Sequence, residues 1–174
     1  MDSCDNISPM PRNERAFTLI ELAILIVLVA ILAFVFITKF SFTQAKLTNA
    51  RVKLTSDIRY VQSLAIGRGG TFGVQFTPGS ETYSLYEGSA ATKIKDPLNP
   101  MTDFTVNYTT SREFSGVDIV SANFDGSQNL EFDWQGVPHS GGGSALSSEG
   151  SIVLQIGTTS TTVRIAAQTG RVFY

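Results

Sequence analysis

A single carboxylate sits where carboxylates are rarely found. Glu21 lies in the run FTLIELAILIVLVAILAFVFITKF, residues 17–40, which carries no other charge before Lys39. An acid inside an apolar spanning helix costs about 3 kcal/mol at the bilayer centre and less near its end. No Lys or Arg within the span can neutralise it. Its chemistry is therefore charge pairing with a group from elsewhere. The other reactive residue types are sparse. The sequence has one histidine, His139, between Pro138 and a glycine loop, and one cysteine, Cys4. These exclude an intramolecular disulfide and a cysteine redox pair, and give little support to a structural zinc site or a His-dependent triad. His139 reads as a solvent-exposed loop residue. Asn123, Asp125, Asn129 and Asp133 carry oxygens of the kind calcium takes, but without the spacing of a recognised loop, so turn and strand-end roles suffice. Gly67, Gly69 and Gly70 follow a helix rather than open one, which excludes a phosphate cradle. Asn107-Tyr108-Thr109 is a glycosylation sequon by pattern alone. With no nucleophile–base–orienter set, no metal site and no cofactor motif, the expectation is a protein without catalysis of its own.

The elements around Glu21 follow from the distribution of apolar residues. The 174 residues leave room for one ordinary domain plus an appendage. Charged residues make up 16 % and the formal net charge is −2; the pI is near 5.3 and the mean hydropathy +0.10. A mildly acidic chain without a basic run has no electrostatic pull toward nucleic acid. The apolar excess is concentrated between Phe17 and Phe42. As a helix, residues 17–37 span about 31 Å, enough to cross a hydrocarbon core of ~30 Å. That run is too long for an ordinary secretory signal, and no small-x-small cleavage site follows it. Arg12 and Arg15 precede it and only Lys39 follows closely, so the N-terminus is expected in the cytoplasm.

Neither Gly nor Pro interrupts the sequence between Arg12 and Ile66, which predicts one helix over residues 17–66, about 75 Å long. Beyond Lys39 it turns amphipathic. Leu47, Ala50, Leu54, Ile58, Val61 and Ala65 mark one face, with Arg51, Lys53, Asp57, Arg59 and Gln62 on the others, and Gly67 is the stop signal. From Thr71 onward strand signals take over, at residues 71–77, 82–87, 103–108, 117–121, 130–134, 151–156, 161–166 and 171–174. Phe72, Val74 and Phe76 alternate with Gly73 and Gln75, as in a half-buried strand. Residues 140–143 with Ser147-Ser148 read as a surface loop, and Phe173 and Tyr174 as the end of a buried strand.

The stretch Ala16-Phe17-Thr18-Leu19-Ile20-Glu21-Leu22 resembles the prepilin processing motif of type IV pilins and type II secretion pseudopilins. The resemblance implies that a prepilin peptidase cuts between Ala16 and Phe17 on the cytoplasmic side and methylates the new amino group of Phe17. Glu21 becomes the fifth mature residue (21 − 16 = 5) and pairs with the N-terminal amine of a neighbouring subunit. Two positions depart from the usual pattern: Ala16 stands where Gly is usual, and Thr38 where many members carry a helix-breaking proline. At the helix end, residues 57–65 (DIRYVQSLA), and in the head, residues 132–138 (FDWQGVP) and the terminal Val163-Arg164-Ile165 with Thr169-Gly170-Arg171-Val172, resemble the minor pseudopilin group that includes the H-type type II secretion subunit, FimT-type minor pilins and MSHA-pilus subunits.

The implied fold is α+β: a long N-terminal helix, half transmembrane and half amphipathic, packed on an antiparallel β head. The divisions are a leader at 1–16, a transmembrane and filament-core helix at 17–40, an amphipathic helix at 41–66 and the head at 67–174. The implied partners are the prepilin peptidase, other pilin or pseudopilin subunits and an inner-membrane assembly platform, first in the inner membrane with the head periplasmic, then in a pilus or pseudopilus. The tail has Arg171 as its one cation, too little for the DNA contacts made by some minor pilins of uptake machines. The competing expectation is an exodomain on a fixed anchor that binds a ligand, in which Phe17 never becomes an N-terminus.

Overall fold

The computed structural model describes residues 18–174, with side chains at 18–34 and 43–174. Ala16, Phe17, the remainder of the leader and part of the expected span lie outside that description. Among the described residues, no helix is long and apolar enough to cross a membrane. The chain divides into two compact units, Met1–Lys39 and Phe40–Tyr174.

One helix, α1, covers Leu19–Arg68. Within the first unit its large apolar side chains, from Leu19 through Phe34, are exposed all round. Within the second unit the spacing of three and four residues is realised as burial: Leu47, Ala50, Leu54, Ile58, Val61 and Ala65 form the apolar stripe in the core. Asp57, assigned by type to an outer face, is in fact buried. It lies three residues after Leu54 and four before Val61, so the helical repeat carries it onto the stripe. The stop also differs from expectation. α1 runs through Gly67 to Arg68 and is terminated by Gly69, whose φ of 66° is left-handed. Its N–H and that of Gly70 close on the Ala65 carbonyl at 3.0 and 3.2 Å.

The head strands are β1 (Phe72–Thr77), β2 (Thr82–Glu87), β3 (Lys95–Asp96), β4 (Asn99–Asp103), β5 (Thr105–Asn107), β6 (Asp118–Asn123), β7 (Asn129–Phe132), β8 (Pro138–Ser140), β9 (Gly150–Ile156), β10 (Thr159–Ile165) and β11 (Val172–Phe173). They pair antiparallel in a five-stranded sheet, β5-β2-β1-β7-β8, a four-stranded sheet, β11-β10-β9-β6, and the hairpin β3-β4. The hairpin and β8 carry no strand signal in sequence, because Pro97, Pro100, Pro138 and the glycines after Ser140 read as loop. β8 takes Ser140 out of the expected loop and pairs it with Leu130.

β1 is covered on both faces at Gly73, where alternation alone implied a solvent side. The Tyr86 ring lies directly over Gly73; a Cβ there would come within 2.3 Å of Tyr86 Cζ. Aromatic side chains link the core: Phe76 with Tyr83 (centroids 5.8 Å) and Phe124 (5.7 Å), and Tyr108 with Tyr83 (5.8 Å) and Phe114 (5.4 Å).

Candidate functional site

Glu21 begins its role locally. Its N–H donates to Thr18 Oγ1 at 3.2 Å, so Thr18 caps α1 and Glu21 occupies the third helical position. Thr18-Leu19-Ile20-Glu21 is thus a capping-box sequence, a local signal that the charge of Glu21 alone does not carry. An acid in the first turn also complements the helix dipole. Among the described residues its carboxylate has no ion pair. Ala16 and Phe17, which the processing reading needs beside it, lie outside the described residues.

The two head segments singled out in sequence meet the third, residues 57–65, at the end of α1. Gln62 Nε2 donates to the Gly136 carbonyl at 2.8 Å and the Thr169 carbonyl at 3.1 Å. Arg59 Nη2 donates to the Val172 carbonyl at 3.3 Å. Gly136 and Gly170 have φ of 80° and 63°. A Cβ on Gly170 would meet Gln62 Nε2 at 2.6 Å, and one on Gly136 would meet Ile66 Cδ1 at 2.8 Å. Both turns therefore need glycine twice over, for backbone shape and for close approach to the helix. The shared role of these motifs is to lock the head onto α1.

A second lock centres on Asp57. Lys53 Nζ donates to its two oxygens at 2.6 and 2.7 Å, and the buried Tyr83 hydroxyl donates to Oδ2 at 2.7 Å. Desolvation is the largest influence on Asp57 and raises its pKa above 3.8, partly offset by Lys53 and Tyr83. Burial also pushes the Tyr83 and Tyr108 hydroxyls up, so both stay protonated. The Tyr108 hydroxyl donates to the Ala50 carbonyl at 3.3 Å.

His139 is half-buried on β8 rather than exposed in a loop. Its Nδ1 faces the Gly143 carbonyl at 3.0 Å and its Nε2 faces Asp133 Oδ2 at 3.3 Å. Both ring nitrogens are thereby occupied, and among the described residues neither is hydrogen-bonded to a hydroxyl that the ring could activate. Asp133 Oδ1 accepts the Gln135 and Val137 N–H groups, each at 2.9 Å. Desolvation works to raise the Asp133 pKa, but these donors and the ring outweigh it and the net direction is down.

The four candidate calcium residues go to separate tasks. Asp125 accepts from Ser147 N (2.6 Å), Ser147 Oγ (3.0 Å) and Ser148 Oγ (2.7 Å), fastening the 147–148 loop to the turn after β6. Asn123 Oδ1 accepts the Gly126 N–H at 2.8 Å, and Asn129 sits in β7. Among the described residues no group of three or more His, Cys, Asp or Glu is placed to hold a metal ion. Asn107 Oδ1 accepts the Thr109 and Thr110 N–H groups at 2.8 and 3.0 Å, a turn at the end of β5.

The C-terminus corrects one expectation. Val172 is buried, but Tyr174 is 66 % exposed rather than the end of a buried strand. β11 is a two-residue edge strand, so only its inward residue is covered.

No known family profile matches the sequence, and no curated protein matches it. Among solved structures, the chain is similar to the type IV minor pilin FimU of Pseudomonas aeruginosa, with a TM-score of 0.52 at 15 % identity, covering 75 % of this chain and 88 % of that one. The minor pseudopilin EpsH of the Vibrio cholerae type 2 secretion system aligns with a TM-score of 0.49 at 11 % identity, covering 74 % of this chain and 94 % of that one. The weight rests on the first of these, and it establishes the architecture: the described residues have a pilin-like α+β fold.

Proposed function

We propose that the chain is a structural subunit of minor pilin or pseudopilin type, made as a prepilin in the bacterial inner membrane and assembled into a type IV pilus or secretion pseudopilus. The observation that carries this is the fold shared with FimU, on a chain whose residues 16–22 read Ala-Phe-Thr-Leu-Ile-Glu-Leu. A prepilin peptidase cleaves between Ala16 and Phe17, and Phe17 is N-methylated. The N-terminus starts in the cytoplasm and the head in the periplasm. An assembly platform then moves the apolar helix from lipid into a filament core. Both surroundings are apolar, so the transfer is close to neutral and packing with other subunits decides its direction. The uncompensated Glu21 carboxylate pairs with the amine of a neighbour's Phe17 and sets the axial register. The head has no catalytic role; its locks hold it rigidly on the amphipathic helix.

The direct test is mass spectrometry of the N-terminus from membranes with and without prepilin peptidase. A peptidase-dependent species beginning at methylated Phe17 is expected. The unprocessed N-terminus in both samples would overturn the reading in favour of an exodomain on a fixed anchor.

A further inference from the structure

Buried polar atoms without a partner are rare in folded proteins. Among the described residues two side-chain atoms are in that condition, Arg51 Nε and Thr55 Oγ1. They stand four residues apart on α1, the spacing that places side chains on one helix face. The Arg51 guanidinium carbon lies 3.8 Å from the centre of the Tyr174 ring. Such a stack engages the flat face of the group and leaves the donors of its two terminal Nη atoms unused, while Nε is sealed from solvent and out of a ligand's reach. Arg51 makes no hydrogen bond or ion pair among the described residues.

The same arginine lines a recess of about 130 Å³, with Gln44, Leu47 and Thr48 from α1 and Thr159, Ser160 and Thr161 from β10. No carboxylate lines it, although the chain as a whole is acidic. The recess is far smaller than the ~300 Å³ at which pockets for whole small molecules begin. Its chemistry is one forked cation beside hydroxyls, an amide and the side chain of Leu47.

We propose that this recess is a binding site for a carboxylate group. A planar guanidinium matches the two oxygens of a carboxylate in a bidentate pair, and the hydroxyls can donate to the outer lone pairs. The single positive charge balances one carboxylate. A phosphate carries nearly twice that charge and is usually met by several cations or by backbone N–H groups at a helix start, whereas Arg51 lies mid-helix. The carboxylate comes either from an acidic side chain of a neighbouring subunit or from a free small acid. The first source rests on the filament reading above; the site itself does not.

The test uses the full chain, isotope-labelled in detergent micelles, following the Arg51 Nε–H and Thr161 amide resonances. Sodium acetate is titrated against sodium chloride at equal ionic strength, with inorganic phosphate in parallel. A saturable shift with acetate and not with chloride is expected. In Arg51→Lys, which keeps the charge and loses the fork, the Thr161 response weakens about tenfold. Ser160→Ala, which leaves the core untouched, weakens it less. An acetate response equal to chloride, one unchanged in a folded Arg51→Lys, or phosphate saturating below acetate would each overturn the proposal. With acetate binding established, incorporation of Arg51→Lys into filaments identifies the source. Reduced incorporation despite normal processing assigns the carboxylate to a neighbouring subunit, and unchanged incorporation assigns it to a free acid. Absent processing at Phe17 with an intact acetate response would reject the filament reading alone.

Discussion

Two stretches of α1 use the same apolar residue types to opposite ends. From Leu19 to Phe34 the large apolar side chains are exposed, whereas Leu54, Ile58 and Val61 are fully buried. Each stretch also carries an acid. Asp57 is answered within the chain by Lys53 and Tyr83; the Glu21 carboxylate has no ion pair among the described residues. An apolar stripe can be satisfied by one partner surface, and here the head provides it. A helix apolar all round needs an apolar environment on every side, and its lone acid needs a cation from outside. The contrast separates residues that serve the fold from residues that, on the proposed function, serve assembly.

Exchanging the acids' fates gives the largest expected effect. Glu21→Ala should insert into membranes at least as well as the native chain, since it removes a charge from an apolar helix. It should lose filament incorporation nearly completely, as judged from sheared filaments against the membrane fraction. Normal filament yield in a strain expressing only this variant would refute the assembly role and leave Glu21 as a capping residue. Truncating leucines sharpens the same contrast within the fold. Leu54→Ala should destabilise the head by about 3 kcal/mol through lost burial and a residual cavity. Leu28→Ala should leave head unfolding unchanged, measured by urea denaturation of both variants in detergent. Equal losses at the two positions would mean that the stretches are not energetically distinct.

How far this was legible in sequence depends on whether residue type and spacing agree. Leu47 to Ala65 was legible because apolar type and helical spacing coincide, and the burial follows. Asp57 was misplaced because its type pointed to water while its spacing pointed inward; the spacing won, with Lys53 and Tyr83 satisfying the charge. β8 and the β3–β4 hairpin were missed because their prolines and nearby glycines mimic loops, while sheet pairing overrides the local signal. At the candidate sites the Phe132–Pro138 and Thr169–Val172 segments were found as motifs. Their meeting at Gln62 is a tertiary fact that no local pattern encodes. Arg51 has the type of a solvated charge, and only its sealed Nε and the Tyr174 stack set it apart.

The Asp57 lock offers a smaller, divisible effect. Asp57→Ala removes the acceptor of a buried hydroxyl and should cost about 2 kcal/mol, the penalty for leaving such a group unsatisfied. Tyr83→Phe in that background should then cost little, because the donor is removed together with its need. A double-mutant cycle from denaturant unfolding should give a coupling of about 1 kcal/mol or more. Additive losses would show that Tyr83 and Asp57 do not act as a unit.

The smallest effect is a difference of sign between two aspartates. Burial raises the Asp57 pKa above 3.8, so the folded state keeps a proton that the unfolded state has already released. Its contribution to stability is complete below 3.8 and is lost as pH rises through the folded-state value. Asp125 has the opposite environment. The Ser147 N–H and Ser148 hydroxyl favour its ionised form and lower its pKa below 3.8. Its contribution is present above 3.8 and disappears as pH falls through the lowered value. Unfolding measured from pH 2 to 7 should therefore lose a descending component in Asp57→Asn and an acid-side rising component in Asp125→Asn. Hydrogen exchange adds a local reading, because the Ser147 amide should lose protection in acid before the core amides of β1 and β9 do. If Asp57→Asn left the slope above pH 3.8 unchanged, Lys53 and Tyr83 would offset the desolvation of the carboxylate in full, and burial would not be the largest influence on it.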